Sequence, residues 1–194
     1  LYGSGGANQP KGLVSYTGTN QLIDYAALTP APKGVATDGN KLRPEDASRM
    51  VGLIEDRNFQ FSGWIMRPSL ANATTGYRSD AVSAGDAAGQ FAVNMMRSLS
   101  DKLPGNTWGG YPVSKSATVR NDQTKGSGTA LTEVFGGQWE HLLQGMYGAV
   151  EITSSNVAGT AFQTDQTFVR AIMICDAVPR YEGAFCWYKA VLNS

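Results

Sequence analysis

His141 is the only histidine in the chain, so any Ser-His-Asp or Cys-His relay must run through it. Its neighbourhood, "GGQWEHLLQ", contains nothing that reads as a nucleophile elbow, and a lone histidine beside Trp139 reads as a packing or surface residue. Glu55, Asp56, Glu133, Glu140 and Glu151 are candidate acid-base carboxylates, but such chemistry exists only where the fold brings two of them together. Cys175 and Cys186 are too few for a disulfide scaffold, and with one histidine they supply no metal ligand set. Reduced, buried thiols and a cytosolic origin are the simpler expectation, with neither a metal nor a cofactor.

Three glycine-bearing stretches imitate phosphate loops, and each is broken where the physics is strictest. "YGSGG" at the start lacks the Gly-x-Gly-x-x-Gly spacing and opens no helix whose dipole could support a pyrophosphate. "GSGTAL" from Gly126 has Leu131 in place of the third glycine. "GGYPVSKS" ends like a Walker loop at Lys115 and Ser116, but Ser114 stands where a glycine is needed and Pro112 removes an amide from the nest. The four tryptophans, Trp64, Trp108, Trp139 and Trp187, are spread along the chain, which favours core or interface anchors over a carbohydrate platform.

The elements that would hold these residues are legible in part. "LRPEDASRMVGLIEDRN" offers Pro44 at a first helical position and Glu45 and Asp46 in the first turn, where the macrodipole favours anions. Ala47, Met50, Val51 and Ile54 then repeat at the spacing of one buried helix face. "FSGWIMR" reads as a strand, and Pro68 opens a second helical stretch near "PSLANATTGYRSD". "FAVNMMRSLSDKL" fits helix or strand equally. From "GYPVSKSATV" onward the pattern is strands: "ALTEVFGG", "GAVEITSS", "QTFVRAIMICDAV" and "AFCWYKAVL", with Pro and Gly of "PRYEG" predicting a hairpin between the last two. The first forty residues read as turns with a strand or two. A helix-bearing region followed by a strand-rich end argues an α+β architecture.

The totals exclude several function classes. With 194 residues and 42% apolar content, the chain can bury a core of its own. Sixteen basic and sixteen acidic residues cancel, so the bulk attraction behind non-specific phosphate-backbone binding is absent. A near-zero net charge also does little to oppose self-association. No stretch approaches the ~20 apolar residues of a membrane helix, and no signal segment opens the chain.

Several segments, in order, resemble the major capsid protein family of tailed phages, the Hong Kong 97 type. "LYGSGGANQPKGL" is similar to the loop that leaves the family's long spine helix and enters its axial domain. "WGGYPVSKS" resembles a family "G-x-P-V" strand, and "VFGGQWEHLLQGMYGAVEITSS" resembles the Gly-rich turn, aromatic and strand that enter the peripheral domain. "TFVRAIMICDAVPRYEGAFCWYKAV" looks like the Phe-Val-Arg strand of that domain and the closing strand. "SLANATTGYRSDAVSAGDAAGQFAVNMM" follows the pattern loosely and reads as an insertion.

The resemblance implies a Hong Kong 97-type capsid fold: a connector over residues 1–12, an axial domain with mixed sheet and flanking helices over 13–138, peripheral-domain strands over 139–183 and a closing strand over 184–194. By the same resemblance the opening glycines mark a cut end, with the N-terminal arm, extended loop and spine helix upstream. The implied function is a non-enzymatic head subunit that forms pentamers and hexamers, closes into an icosahedral virion shell around non-specifically packaged DNA, and is assembled in the bacterial cytoplasm without a membrane partner. Scaffold, protease, portal and decoration proteins are the further partners it suggests. In members that weld their shells through isopeptide bonds, the acceptor asparagine follows the "F-V-[KR]" run; that place is Ala171 here, so no cross-link residue is expected and Asp176 need not be catalytic.

Three rival readings carry distinct expectations. An encapsulin-like nanocompartment shell shares the fold, with protein cargo in place of DNA. A hydrolase using His141 requires that residue in a cleft with a nucleophile in reach. A carbohydrate-binding module requires a solvent-facing aromatic row. The shell reading expects instead strand edges without partners.

Overall fold

The predicted amphipathic helix forms as α1, Pro44–Glu55, in the computed structural model, which describes residues 1–3, 5–6, 9–16, 23–32, 35–75, 96–97 and 107–193. Asp46 closes its first turn by accepting the backbone N–H of Arg43 at 2.7 Å. Ala47, Met50, Val51 and Ile54 are all buried, as the spacing predicts. Pro68 opens α2, Pro68–Thr75, which buries Leu70 and Ala71. Of the stretch that fits helix or strand, only Met96–Arg97 is described, as a short strand; the rest, with most of the loosely matching segment, lies outside the described residues.

The chain divides into two units. The larger, Thr17–His141 with Tyr181–Ser194, is built on a mixed sheet. In chain order its strands are β1 (Ile23–Asp24), β2 (Gly63–Met66), β3 (Met96–Arg97), β4 (Thr107–Trp108), β5 (Tyr111–Lys115), β6 (Gln123–Lys125) and β7 (Gly128–Gly137). After β8 (Leu142–Ser155) and β9 (Phe168–Pro179), which form the other sheet, β10 (Phe185–Val191) completes it. The order is β1-β10-β7-β2-β5-β4-β3, with β6 paired to β7. β1 runs parallel to β10 and β2 parallel to β5; the other pairings are antiparallel. Gly109 and Gly110, at φ 58° and 87°, make the two-residue turn from β4 to β5 that only a left-handed backbone allows.

The core of this unit gathers Met50 and Ile54 of α1, Trp64 and Met66 of β2, Leu70 of α2, Tyr25, Trp108 and Tyr188. Trp64 and Trp108 pack with ring centroids 4.4 Å apart, and the Trp64 indole N–H donates to the Trp108 carbonyl at 2.8 Å. Each indole contributes a large apolar area, so the pair anchors the sheet to the helices.

The second unit, Leu1–Tyr16 with Leu142–Arg180, is dominated by the antiparallel ribbon β8–β9. The expected hairpin at "PRYEG" does not form. Among the described strands β9 pairs only with β8, and the chain passes through a 3-10 turn at Glu182–Ala184 before β10 joins β7 and β1. The reason is burial: Phe185, Cys186, Tyr188 and Val191 are fully buried in the large sheet, whereas β9 lies open to solvent along most of its length. Pairing β10 with β9 would have withdrawn those side chains from the core.

Candidate assembly surface

The residues with catalytic potential are dispersed over the fold. His141 is half-buried, with Phe59 and Tyr181 edge-on at 5.6 Å and 5.1 Å, and its imidazole makes no hydrogen bond among the described residues. Glu133 is buried on β7, where Arg120 donates to it at 2.7 Å and Gln123 also bonds it. Glu55 accepts the Tyr111 hydroxyl at 3.3 Å, while Asp56, Glu140 and Glu151 are exposed. The expected carboxylates therefore form no acid-base pair. A second buried carboxylate is one that the sequence marks only as a helix-dipole residue: Asp46 accepts the Tyr25 hydroxyl at 2.7 Å. Burial pushes its carboxyl up from the ordinary value, against the opposing hydrogen bonds from Tyr25 and Arg43.

Lys115 donates to Asn72 of α2 at 3.0 Å and Ser116 shares a hydrogen bond with Thr118 at 2.6 Å, so the Walker-like end ties β5 to a helix and to its own turn. Cys186 is buried, its thiol pushed up by desolvation, and Cys175 is half-buried on β9; both are free thiols. No group of histidine, cysteine and carboxylate side chains among the described residues could hold a metal. Trp139 packs on Phe185 and Trp187 faces Phe135 edge-on at 6.5 Å, so with the buried Trp64–Trp108 pair the tryptophans form no solvent-facing row. A cleft of about 480 Å³ lies beside β6 and β10, and several of its polar side chains bond to one another. In it, buried Asn40 accepts Lys125 at 2.6 Å and donates to the Lys189 carbonyl at 2.7 Å, while the Lys189 ammonium pairs with Asp24 at 2.5 Å.

The surface that stands out is the ribbon. Among the described residues, every exposed large apolar side chain except Tyr181 lies between Leu143 and Val178. Tyr147 is 80% exposed, Ile152 70% and Val169 68%. Register puts these on both faces. Leu143, Tyr147, Ile172 and Ile174 share one face, and Met146, Ile152, Val169 and Met173 share the other. Between Tyr147↔Ile174 and Glu151↔Ile172 the ladder carries extra residues on β8, with Gly148 at φ 73°. Ala171 lies opposite Ile152. The run "AIMIC" on β9, apolar at successive positions, is the sequence signal for a strand covered on both faces. A bare two-stranded ribbon is at best marginally stable in water, so this one is built to be covered.

The comparisons with known proteins agree with that geometry. A family model described as the phage capsid family matches residues 1–190. No curated protein matches the chain by sequence. Among solved structures, the capsid of a native GTA particle superposes with a TM-score of 0.57 at 16% identity, covering 97% of this chain and 58% of that one. A solved structure from Mycobacterium phage Ogopogo gives 0.50 at 17% identity, covering 91% and 61%. The holo-SrpI encapsulin of Synechococcus elongatus PCC 7942 gives 0.54 at 12% identity, covering 95% and 57%. The chain thus spans less than two thirds of the length of these neighbours. They share its mixed α+β fold, and the family match over nearly the whole length means that this chain belongs to the phage capsid family.

Proposed function

We propose that the protein is a major capsid subunit, a structural rather than catalytic protein, whose copies form pentamers and hexamers and close into an icosahedral head around packaged DNA. The observation that carries this reading is the ribbon, which exposes large apolar side chains on both faces. Heterologous contacts close into rings and rings into a shell, and each contact can be modest when several act on one subunit. The larger unit fits the role of the axial domain and the ribbon unit that of the peripheral domain. The virion is the site of action. Ala171, whose methyl group offers no carboxamide to a lysine, leaves the shell without isopeptide welds at that place. The likeness to an encapsulin keeps a nanocompartment as the second reading, since the two differ in cargo rather than fold.

The test is negative-stain electron microscopy of the full-length gene product, expressed without other phage genes. Closed shells or capsomer rings are expected, and nuclease-protected DNA in particles from the complete phage separates a head from a cargo compartment. A uniformly small monomer at high concentration overturns the proposal.

A further inference from the structure

The two faces of the ribbon differ in charge. Glu151, Arg170 and Asp176, the only charged side chains of β8 and β9, all fall on the face shared by Tyr147, Ile172 and Ile174. The opposite face, with Met146, Ile152, Val169 and Met173, carries no charge and suits simple burial. On the charged face the order along β9 is symmetric about Met173: Ile172 balances Ile174, Arg170 balances Asp176, and Phe168 balances Val178. Arg170 and Asp176 are exposed, and neither makes an ion pair among the described residues. Six residues of strand separate them by about 20 Å, too far for them to pair within one chain.

Resting on the capsid reading, we propose that this face docks on the same face of a second copy, β9 antiparallel over β9, about a two-fold axis at Met173. In that register Arg170 of each copy meets Asp176 of the other at both ends, and Ile172 meets Ile174 at the centre. On the neighbouring strand the same axis sets Tyr147, paired with Ile174, over Glu151, paired with Ile172, so a phenol meets a carboxylate twice. The contact is isologous, one patch serving both partners. A ribbon face about 33 Å long and about 10 Å wide lies well below the ~800 Å² per partner of a stable dimer, so the contact forms as one of several within a shell and not alone in dilute solution.

Charge exchange tests it in the full-length protein. R170D puts an acid at both β9 end positions of each copy and D176R puts a base at both, so each single variant repels itself at each end of the contact. Both positions are exposed, and wild-type melting temperatures are expected. Shell yield, read by sedimentation and electron microscopy, is expected to fall at least tenfold for either variant alone. It should recover in the R170D/D176R exchange and in an equal mixture of the two folded single variants, because both restore opposite charges at each end. Full assembly of either single variant alone, or failure of both the exchange and the mixture, overturns the two-fold contact. Failure of the wild type to form particles at all would instead count against the capsid reading, so the two are separable.

Discussion

The Tyr25 hydroxyl donates to Asp46 at 2.7 Å across 21 residues of sequence, with both side chains buried. The bond joins the 3-10 turn after β1 to the first turn of α1, and Asp46 answers the Arg43 amide with its other oxygen at 2.7 Å. One carboxylate thus caps a helix and anchors the chain segment that leaves the sheet edge at β1.

Asp46→Asn keeps an acceptor for Tyr25 but loses the second oxygen, and a cost of about 1–3 kcal/mol is expected from the lost cap and imperfectly matched buried amide. The pH dependence has a definite sign. Burial, the largest influence, raises the folded carboxyl above its ordinary 3.8, so the folded state binds more protons at this site than the unfolded state. Its contribution is fully present below the ordinary value and is lost as pH rises through the folded value. Urea unfolding of wild type and D46N from about pH 3.5 to about pH 6.5 should show wild type's advantage largest in acid and shrinking upward. A gap that widens with pH would contradict the assignment.

Arg120 and Glu133 pair at 2.7 Å with unequal exposure, 42% for the arginine side chain and 1% for the glutamate. Truncation should therefore be asymmetric. R120A takes the charged partner from a buried carboxylate, costing about 3 kcal/mol or more, whereas E133A leaves an exposed arginine head that can turn to water and costs about half that. Equal losses in denaturant melts would mean that the buried charge is solvated by other means.

Gly136 of β7 has no room for a side chain. A Cβ there would stand 2.6 Å from the Trp64 ring and 2.7 Å from that of Phe61, while one on Gly145 of the ribbon would meet nothing within 4 Å. G136A is expected to destabilise by about 1–3 kcal/mol and G145A to leave the melt within about 0.5 kcal/mol of wild type. Thermal unfolding of the two variants side by side decides it.

What the sequence makes legible depends on whether the information is local. The face of α1 repeats at short spacing, and Pro44 and Pro68 mark helix starts by their own chemistry, so both helices can be read directly. The turn at "PRYEG" looks the same whether it closes a hairpin or carries the chain between two sheets, because the choice is made by where Phe185 and Tyr188 find a core. Asp46 reads as a dipole residue since its partner, Tyr25, is distant in sequence. The ribbon strands are legible as strands, but their exposure is set by what packs on them in space and has no local signature beyond the "AIMIC" run.

The face of the ribbon without charges yields the sharpest separation of folding from assembly. Ile152 is 70% exposed and lies opposite Ala171, so Ile152→Glu removes no core contact. The isolated subunit should unfold within about 0.5 kcal/mol of wild type, as a surface substitution does. In an assembled particle the same carboxylate would be buried against an apolar cover with no partner, at a cost of several kcal/mol per copy, and every copy in the shell bears it. Particle yield of the full-length I152E protein is expected to fall at least tenfold, with the soluble fraction folded by circular dichroism. Normal particles from I152E would mean that this face stays wet in the shell, and the apolar ribbon would then require another explanation.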